Sequence, residues 1–259
     1  MVMRPSGTAT LGAWQQQDNV SLQKLAIVID DFGNNMEGTA EMLALPIPLT
    51  VAVMPFMPST KKDAEAAHQR GHQVFVHLPM EPVKGKHSWL GPGAITTDLS
   101  DAEIRKRVEA AIDDVPHAIG LNNHMGSKAT ADMRVMRVVL TVCRERGLMF
   151  LDSRTTPKSV IPALAQELGV PFMMNRLFFD DVYTTKHITK QMELLCKFLD
   201  KSEENYIAIG HVGPSGKKTA DVLRRYLPKL RQSAELVFAS QLSRKNDTVP
   251  RTLLPAGHP

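Results

Sequence analysis

The 259-residue chain is poor in cysteine and in aromatic residues, and it contains no long apolar run. Its two cysteines, Cys143 and Cys196, provide neither a disulfide framework nor a cysteine-based zinc site. No stretch approaches the roughly 20 apolar residues that a membrane-spanning helix requires. The net charge of +4 is too small to indicate a nucleic-acid partner by itself. Any metal bound by this chain must therefore be held by histidines and carboxylates.

The remaining composition is that of a globular protein, with 43% hydrophobic and 22% charged residues. We expect one domain over residues 24–242, because no linker or repeat divides the chain. Residues 1–23 are polar and glutamine-rich and are expected to be poorly ordered, and residues 243–259 form a C-terminal tail. The N-terminal segment lacks the apolar core of a secretory signal, so the chain is either cytoplasmic or a form whose signal has been removed.

Apolar runs alternate with amphipathic stretches along the chain, which predicts βα units around a buried parallel sheet. The number of units favours a barrel over an open sheet. The predicted strands are 25–30, 49–54, 73–78, 118–123, 148–153, 171–175, 206–211 and 236–240. The predicted helices include 59–71, 100–113, 130–147 and 187–201.

One connection, residues 79–99, is about 20 residues long and has no clear element of its own. It leaves the carboxyl end of a strand, where βα barrels carry their chemistry. Trp89 in this loop either stacks on a sugar ring or fixes the loop to the barrel.

Two other charged segments each have two interpretations. Asp180 and Asp181 follow two phenylalanines and form either a further pair at the strand ends or a charge pair at a helix N-terminus. The basic stretch 217–231 is either the solvated face of an amphipathic helix, which we favour, or a patch for an anionic glycan.

Titratable and amide side chains follow the apolar runs where the strands end. They are Asp30, Asp31, His77, Asn122, Asn123, His124, Asp152 and His211. Because parallel strands carry their carboxyl ends to one edge, these side chains are predicted to converge on a site. Two histidines and a carboxylate suit a divalent ion such as zinc, although their spacing matches no local zinc motif.

Five segments, in this order, resemble the divergent polysaccharide deacetylase family, a bacterial branch of the nodulation-type, chitin-deacetylase-like carbohydrate esterases. They are IVIDDFGNN (27–35), RGHQVFVHLPMEP (70–82), GLNNHMGS (120–127), LDSRTT (151–156) and AIGHV (208–212). The resemblance covers residues 24–242 and implies an α/β fold, a distorted (β/α) barrel of about seven parallel strands.

The resemblance also implies roles for particular residues. IDDFG stands where active deacetylases have paired aspartates, so Asp30 would be the general base and Asp31 a metal ligand. His77 stands at the first metal histidine. His211 stands at the catalytic acid, and Asp152 at the aspartate that orients this acid.

Two positions depart from the active enzymes. Glu81 replaces the second metal histidine, and LNNHMGS (121–127) replaces an Arg-x-Pro-Tyr motif. Either His124 supplies the missing ligand or Glu81 itself binds. Asn122 and Asn123 would donate hydrogen bonds to an oxyanion or to sugar hydroxyls.

These expectations define a metal-dependent hydrolase, with Zn²⁺ as the expected cofactor, that removes acetyl groups from a polysaccharide or cell-wall glycan. The two departures support an alternative, a catalytically weakened glycan-binding protein of the cell envelope. A third possibility is a metal hydrolase acting on an amide outside a sugar. By resemblance we expect the protein in the periplasm or elsewhere outside the cytoplasm, with a glycan and no nucleic acid as its partner.

Overall fold

The computed structural model describes residues 22–202 and 204–243. The predicted N-terminal segment 1–23 and tail 243–259 therefore lie almost entirely outside the described residues, and their expected properties stay predictions. Within the described ranges, no helix is both long and apolar enough to cross a bilayer.

The described residues form nine β-strands and seven α-helices, with three short 3-10 turns between them. The strands are β1 (Lys24–Phe32), β2 (Leu49–Val53), β3 (Gln73–Met80), β4 (Ala118–Met125), β5 (Met149–Asp152), β6 (Phe172–Met174), β7 (Leu177–Phe178), β8 (Tyr206–His211) and β9 (Glu235–Val237). The helices are α1 (Thr39–Leu43), α2 (Thr60–Gln69), α3 (Asp101–Asp114), α4 (Met133–Glu145), α5 (Ile161–Leu168), α6 (Thr185–Leu199) and α7 (Gly216–Ser233). All eight predicted strands are present.

The strands form one parallel sheet in the order β6-β5-β4-β3-β2-β1-β8-β7, and β9 pairs with the first residues of β1. The sheet curls into a half-barrel surrounded by helices, which confirms the predicted α/β barrel class. Because every pairing is parallel, all strands deliver their carboxyl ends to the same edge.

Alternation along the strands separates two layers of core. In β1, Leu25, Ile27 and Ile29 pack in the large core beneath the helices, whereas Ala26 and Val28 pack in a smaller core on the inner face of the half-barrel. Phe75 of β3, Leu151 of β5 and the pair Ile207 and Ile209 of β8 also face inward. A side chain that continues one of these inner rows past the end of its strand enters the half-barrel rather than the helix layer.

Gly210 provides the space for a large side chain next to the strand ends. A Cβ at this position would lie 2.1 Å from the ring of Phe179, which is fully buried. We expect Gly210→Ala to lower the free energy of unfolding by about 1–3 kcal/mol, the usual cost of overpacking a core. Urea unfolding followed by circular dichroism measures this difference. An unchanged stability would show that Phe179 can move aside without cost.

Candidate metal centre and active site

Two consecutive aspartates at the end of β1 line the same pocket, although neighbours in a regular strand face opposite sides. The pairing of β1 with β2 shifts register between Ile29 and Phe32, and Asp31 has a φ of 70°, in the left-handed region. This bulge turns Asp31 back to the side on which Asp30 continues the inner row.

Asp31, His77 and His124 bring three potential ligand atoms together. Asp31 Oδ1 lies 3.2 Å from His77 Nε2 and 3.1 Å from His124 Nδ1, and the two nitrogens are 3.1 Å apart. Bonds of about 2.0–2.2 Å to one ion, at angles of about 90–110°, separate ligand atoms by about 2.8–3.6 Å. The three atoms therefore have the separation that ligands of a single divalent ion require.

The hydrogen bonds behind His77 fix its tautomer. The Asn122 side chain donates from Nδ2 to Asp30 Oδ1 at 2.8 Å, because a carboxylate accepts. Asn122 Oδ1 consequently faces His77 Nδ1, 2.7 Å away, and that nitrogen must carry the proton. The lone pair of His77 is left on Nε2, which points toward Asp31 and His124.

His124 is fixed by a backbone group in the same way. Its Nε2 donates to the carbonyl oxygen of Trp89 at 3.1 Å, so its lone pair is on Nδ1. Asp31 Oδ1 is buried and forms no hydrogen bond, although both imidazoles lie close to it. Three acceptor atoms thus face one another, and a cation is the partner that would satisfy all of them.

Asp30 is a carboxylate poised for proton transfer rather than for ion pairing. It is 1% exposed, and its Oδ2 lies 3.8 Å from His77 Nε2. Burial raises the pKa of Asp30 above its usual value, against the opposing effects of His77 and His211. A raised pKa makes the ionised carboxylate a stronger base than a solvated aspartate.

His211 ends β8 directly beside Asp30 and is held by a carboxylate, Asp180, that follows the neighbouring strand β7. Its Nδ1 donates to Asp180 Oδ1 at 2.7 Å, and its backbone N–H donates to Asp180 Oδ2 at 2.8 Å. Burial alone would lower the pKa of His211, but Asp180, with Asp31 and Asp30, raises it to about 10. The imidazole is therefore a charged proton donor at neutral pH.

These groups line one pocket of about 230 Å³ at the carboxyl edge of the sheet. Phe178, Tyr183 and Val212 supply its apolar wall on the side of His211. This volume lies below the roughly 300–1,000 Å³ of sites that enclose drug-sized ligands. The pocket fits a single residue or substituent of a longer ligand.

Comparison with known proteins places this arrangement in a family. The family model for divergent polysaccharide deacetylases matches residues 27–243. The chain belongs to this family. An uncharacterized protein of Haemophilus influenzae is 36% identical over 227 residues, covering 88% of this chain and 79% of the relative. The uncharacterized protein YibQ of Escherichia coli is 35% identical over 238 residues, covering 90% and 72%.

Two solved structures share the fold of this chain. An uncharacterized protein of Agrobacterium tumefaciens aligns with a TM-score of 0.78 at 18% identity, covering 86% of this chain and 89% of the other. The catalytic domain of peptidoglycan N-acetylglucosamine deacetylase from Eubacterium rectale aligns with a TM-score of 0.50 at 13% identity, covering 89% and 94%. At these identities the likeness shows the fold alone.

Of the two candidates for a third ligand, His124 lies in the cluster with Asp31 and His77, and Glu81 does not. Glu81 Oε1 accepts from Lys128 at 2.7 Å, and Oε2 accepts both the N–H and the hydroxyl of Thr97, each at 2.7 Å. Glu81 is outside the cluster formed by Asp31, His77 and His124. Its expected role as a metal ligand is therefore corrected: it links the loop after β3 to the residues that follow β4.

We expect Glu81→Gln to leave metal affinity within about threefold of that of the unaltered protein, because the removed charge pairs with Lys128 rather than with an ion. Competition with a chromophoric chelator measures the affinity. A loss of 100-fold or more would return Glu81 to the ligand set.

The predicted role of Asp152 is also corrected. Leu151 faces the inner core and Phe150 the helix layer, so alternation turns Asp152 into the helix layer. Its Oδ1 accepts the N–H of Arg154, and Asp180 occupies the place beside His211 that was assigned to Asp152. Asp180 continues the inner row of Phe178, and both Asp180 and Asp181 line the pocket, which agrees with the first of the two interpretations given above, a further pair at the strand ends.

The expected substrate-binding residues lie at different depths. Asn122 is fully buried and bonded to Asp30 and His77, so it supports the site from behind instead of contacting a ligand. Asn123 borders the pocket, but its amide donates to Met125 O and accepts from the Ser153 N–H. Trp89 is 58% exposed, its carbonyl holds His124, and the Nζ of Lys86 lies over its ring, 5.8 Å from the centroid.

Proposed function

We propose that this protein is a metal-dependent deacylase that hydrolyses acetyl or similar acyl groups on a glycan. One observation carries the proposal: a buried base, Asp30, and a charged acid, His211, share a pocket with three acceptor atoms suited to a divalent ion. This is the set of groups that metal-assisted amide or ester hydrolysis needs.

Asp31, His77 and His124 would hold the ion, and two nitrogens with one carboxylate oxygen favour zinc. When bound, such an ion supplies a Lewis acid that polarises the acyl carbonyl and acidifies a water molecule. Asn122 and the Trp89 carbonyl fix the two imidazoles, so the ligand atoms are oriented in advance.

The protein's own groups move the protons. Asp30 accepts one proton from the attacking water, whose oxygen forms the new bond to the acyl carbon. His211 donates its Nε2 proton to the leaving nitrogen or oxygen as the acyl bond breaks, and Asp180 keeps Nδ1 protonated during the transfer. For an N-acetyl group, the products are a free amine and acetate.

Family membership and the named activity of the E. rectale neighbour support a glycan as the substrate class. The pocket admits one residue of a chain, and the exposed Trp89 ring beside His124 offers a stacking surface for a neighbouring sugar. A cell-wall substrate would place the protein outside the cytoplasm, as the sequence resemblance also implies.

The test is acetate release from N-acetylglucosamine oligomers by the zinc-loaded protein, compared with Asp30→Asn and with the surface control Asp113→Asn. We expect Asp30→Asn to lower kcat by about 10²–10⁴-fold, the usual contribution of a general base, and the control to be unchanged. Glycan binding without acetate release above that of Asp30→Asn would instead support an accessory, glycan-binding role. Release from simple amides but not from oligomers would indicate a hydrolase of another class.

A further inference from the structure

Asp180, the carboxylate that holds the proposed acid His211, is itself held by Thr219, a residue that takes no part in the proposed proton transfers. Thr219 Oγ1 donates to Asp180 Oδ2 at 2.9 Å, and both residues are 0% exposed. Asp180 Oδ2 also accepts the backbone N–H of His211, which leaves Oδ1 as the oxygen that faces the imidazole. The Asp180 carboxylate thus accepts two described hydrogen bonds on Oδ2 and one on Oδ1.

This assignment determines the orientation of the carboxylate. The terminal torsion of an aspartate has broad, roughly two-fold preferences, so the carboxylate plane is set by its hydrogen bonds. With two donors on Oδ2, rotation of this fully buried carboxylate would break two bonds at once. Thr219 therefore restrains Asp180 in the position from which Oδ1 meets His211 Nδ1.

Thr219 is itself fixed by the first turn of α7. Its N–H donates to Ser215 O at 2.8 Å, and the helix start packs on the loop that follows β1. A Cβ on Gly38 would lie 2.4 Å from the carbonyl carbon of Gly216, so the two backbones touch directly. Gly213 N–H donates to Glu37 O at 2.8 Å across the same contact. The loop that follows β1, the strand that carries Asp30, therefore also positions Thr219, which restrains Asp180.

We propose that Thr219 is a positioning residue that orients the Asp180 carboxylate and, through it, the Nδ1–H of His211. The catalytic consequence rests on the proposed function, but the positioning itself can be tested without any activity.

The experiment uses the full chain and proton NMR of the His211 Nδ1–H, which a short charge-assisted bond places far downfield and protects from exchange. The resonance is assigned by its absence in His211→Gln. We expect Thr219→Val to speed solvent exchange of this proton by about tenfold or to remove the signal, and Thr219→Ser to restore it, since serine keeps the hydroxyl. The matched control is Thr50→Val, which removes another fully buried hydroxyl, bonded to Gln73 and to Ala239 N–H near the start of β2.

An unchanged signal in Thr219→Val overturns the proposal. Equal loss in Thr50→Val also overturns it, because the effect would then follow from general destabilisation. In the activity arm, we expect Thr219→Val to slow release from a sugar amide by about tenfold, yet to spare an activated aryl ester whose leaving group needs no proton. If the unaltered protein releases no acyl group, the proposed function fails while the NMR comparison still decides the role of Thr219.

Discussion

Replacement of His77 by alanine is expected to lower zinc affinity by more than about 100-fold and to abolish acyl release. The imidazole supplies one of three converging acceptor atoms, and loss of a partner behind such a ligand already costs about 10–100-fold. Asn122→Ala should therefore lower zinc affinity by about 10–100-fold, less than His77→Ala, because the Asn122 amide fixes His77 Nδ1 without touching the ion. Competition titration with a chromophoric chelator measures both affinities on purified protein.

The surface variant His68→Ala serves as the control, since it removes an exposed imidazole that stacks on His117 and lies outside the cluster. It should bind zinc like the unaltered protein. If His77→Ala keeps full affinity, or if His68→Ala loses as much, the ligand set is wrong.

Asp180→Asn is expected to move the alkaline limb of the pH–kcat profile downward and to lower kcat by about 10²–10⁴-fold. His211 acts as the acid only when protonated, and its pKa of about 10 is raised chiefly by Asp180. Activity should therefore persist as pH rises and fall through about pH 10. Without the Asp180 charge the pKa of His211 moves toward its ordinary value, so activity is lost at a lower pH. Measured kcat across the alkaline range reports this shift.

Asp152→Asn is the matched comparison, because it neutralises another buried aspartate at a strand end. Its side chain lies in the helix layer, so the alkaline limb should stay in place. A shifted limb in Asp152→Asn with an unshifted one in Asp180→Asn would reverse the assignment of the acid's partner.

The sequence predicts the fold class well because its signals are local. Each longer strand is a near-continuous apolar run, as in residues 25–30 and 73–78, and the helices between them carry periodic apolar faces. β7 was not predicted because it has only two residues, Leu177–Phe178, too few for any periodicity. The sheet is a half-barrel whose two edge strands are β6 and β7. Whether these edges meet depends on the lengths and pairings of both strands, which the pattern of a single strand does not encode.

The site residues, too, include some that local sequence signals predict and others that depend on contacts distant in the sequence. The strand-end rule brings Asp30, Asp31, His77, His124 and His211 together, and the structure places all five on one pocket. The choice between Glu81 and His124 depends on Lys128, a pairing across 47 positions that spacing cannot reveal. The role of Asp152 was implied by the resemblance, and its place at a strand end agreed with that role. A strand end specifies an edge of the sheet but not a face, whereas alternation from buried neighbours specifies the face.

Anomalous X-ray diffraction from zinc-soaked crystals, measured at the zinc edge, tests the proposed metal centre most directly. We predict one anomalous peak about 2.0–2.2 Å from Asp31 Oδ1, His77 Nε2 and His124 Nδ1. A peak bound by Glu81 or elsewhere on the chain, or no peak at a zinc concentration that saturates binding in solution, would contradict it.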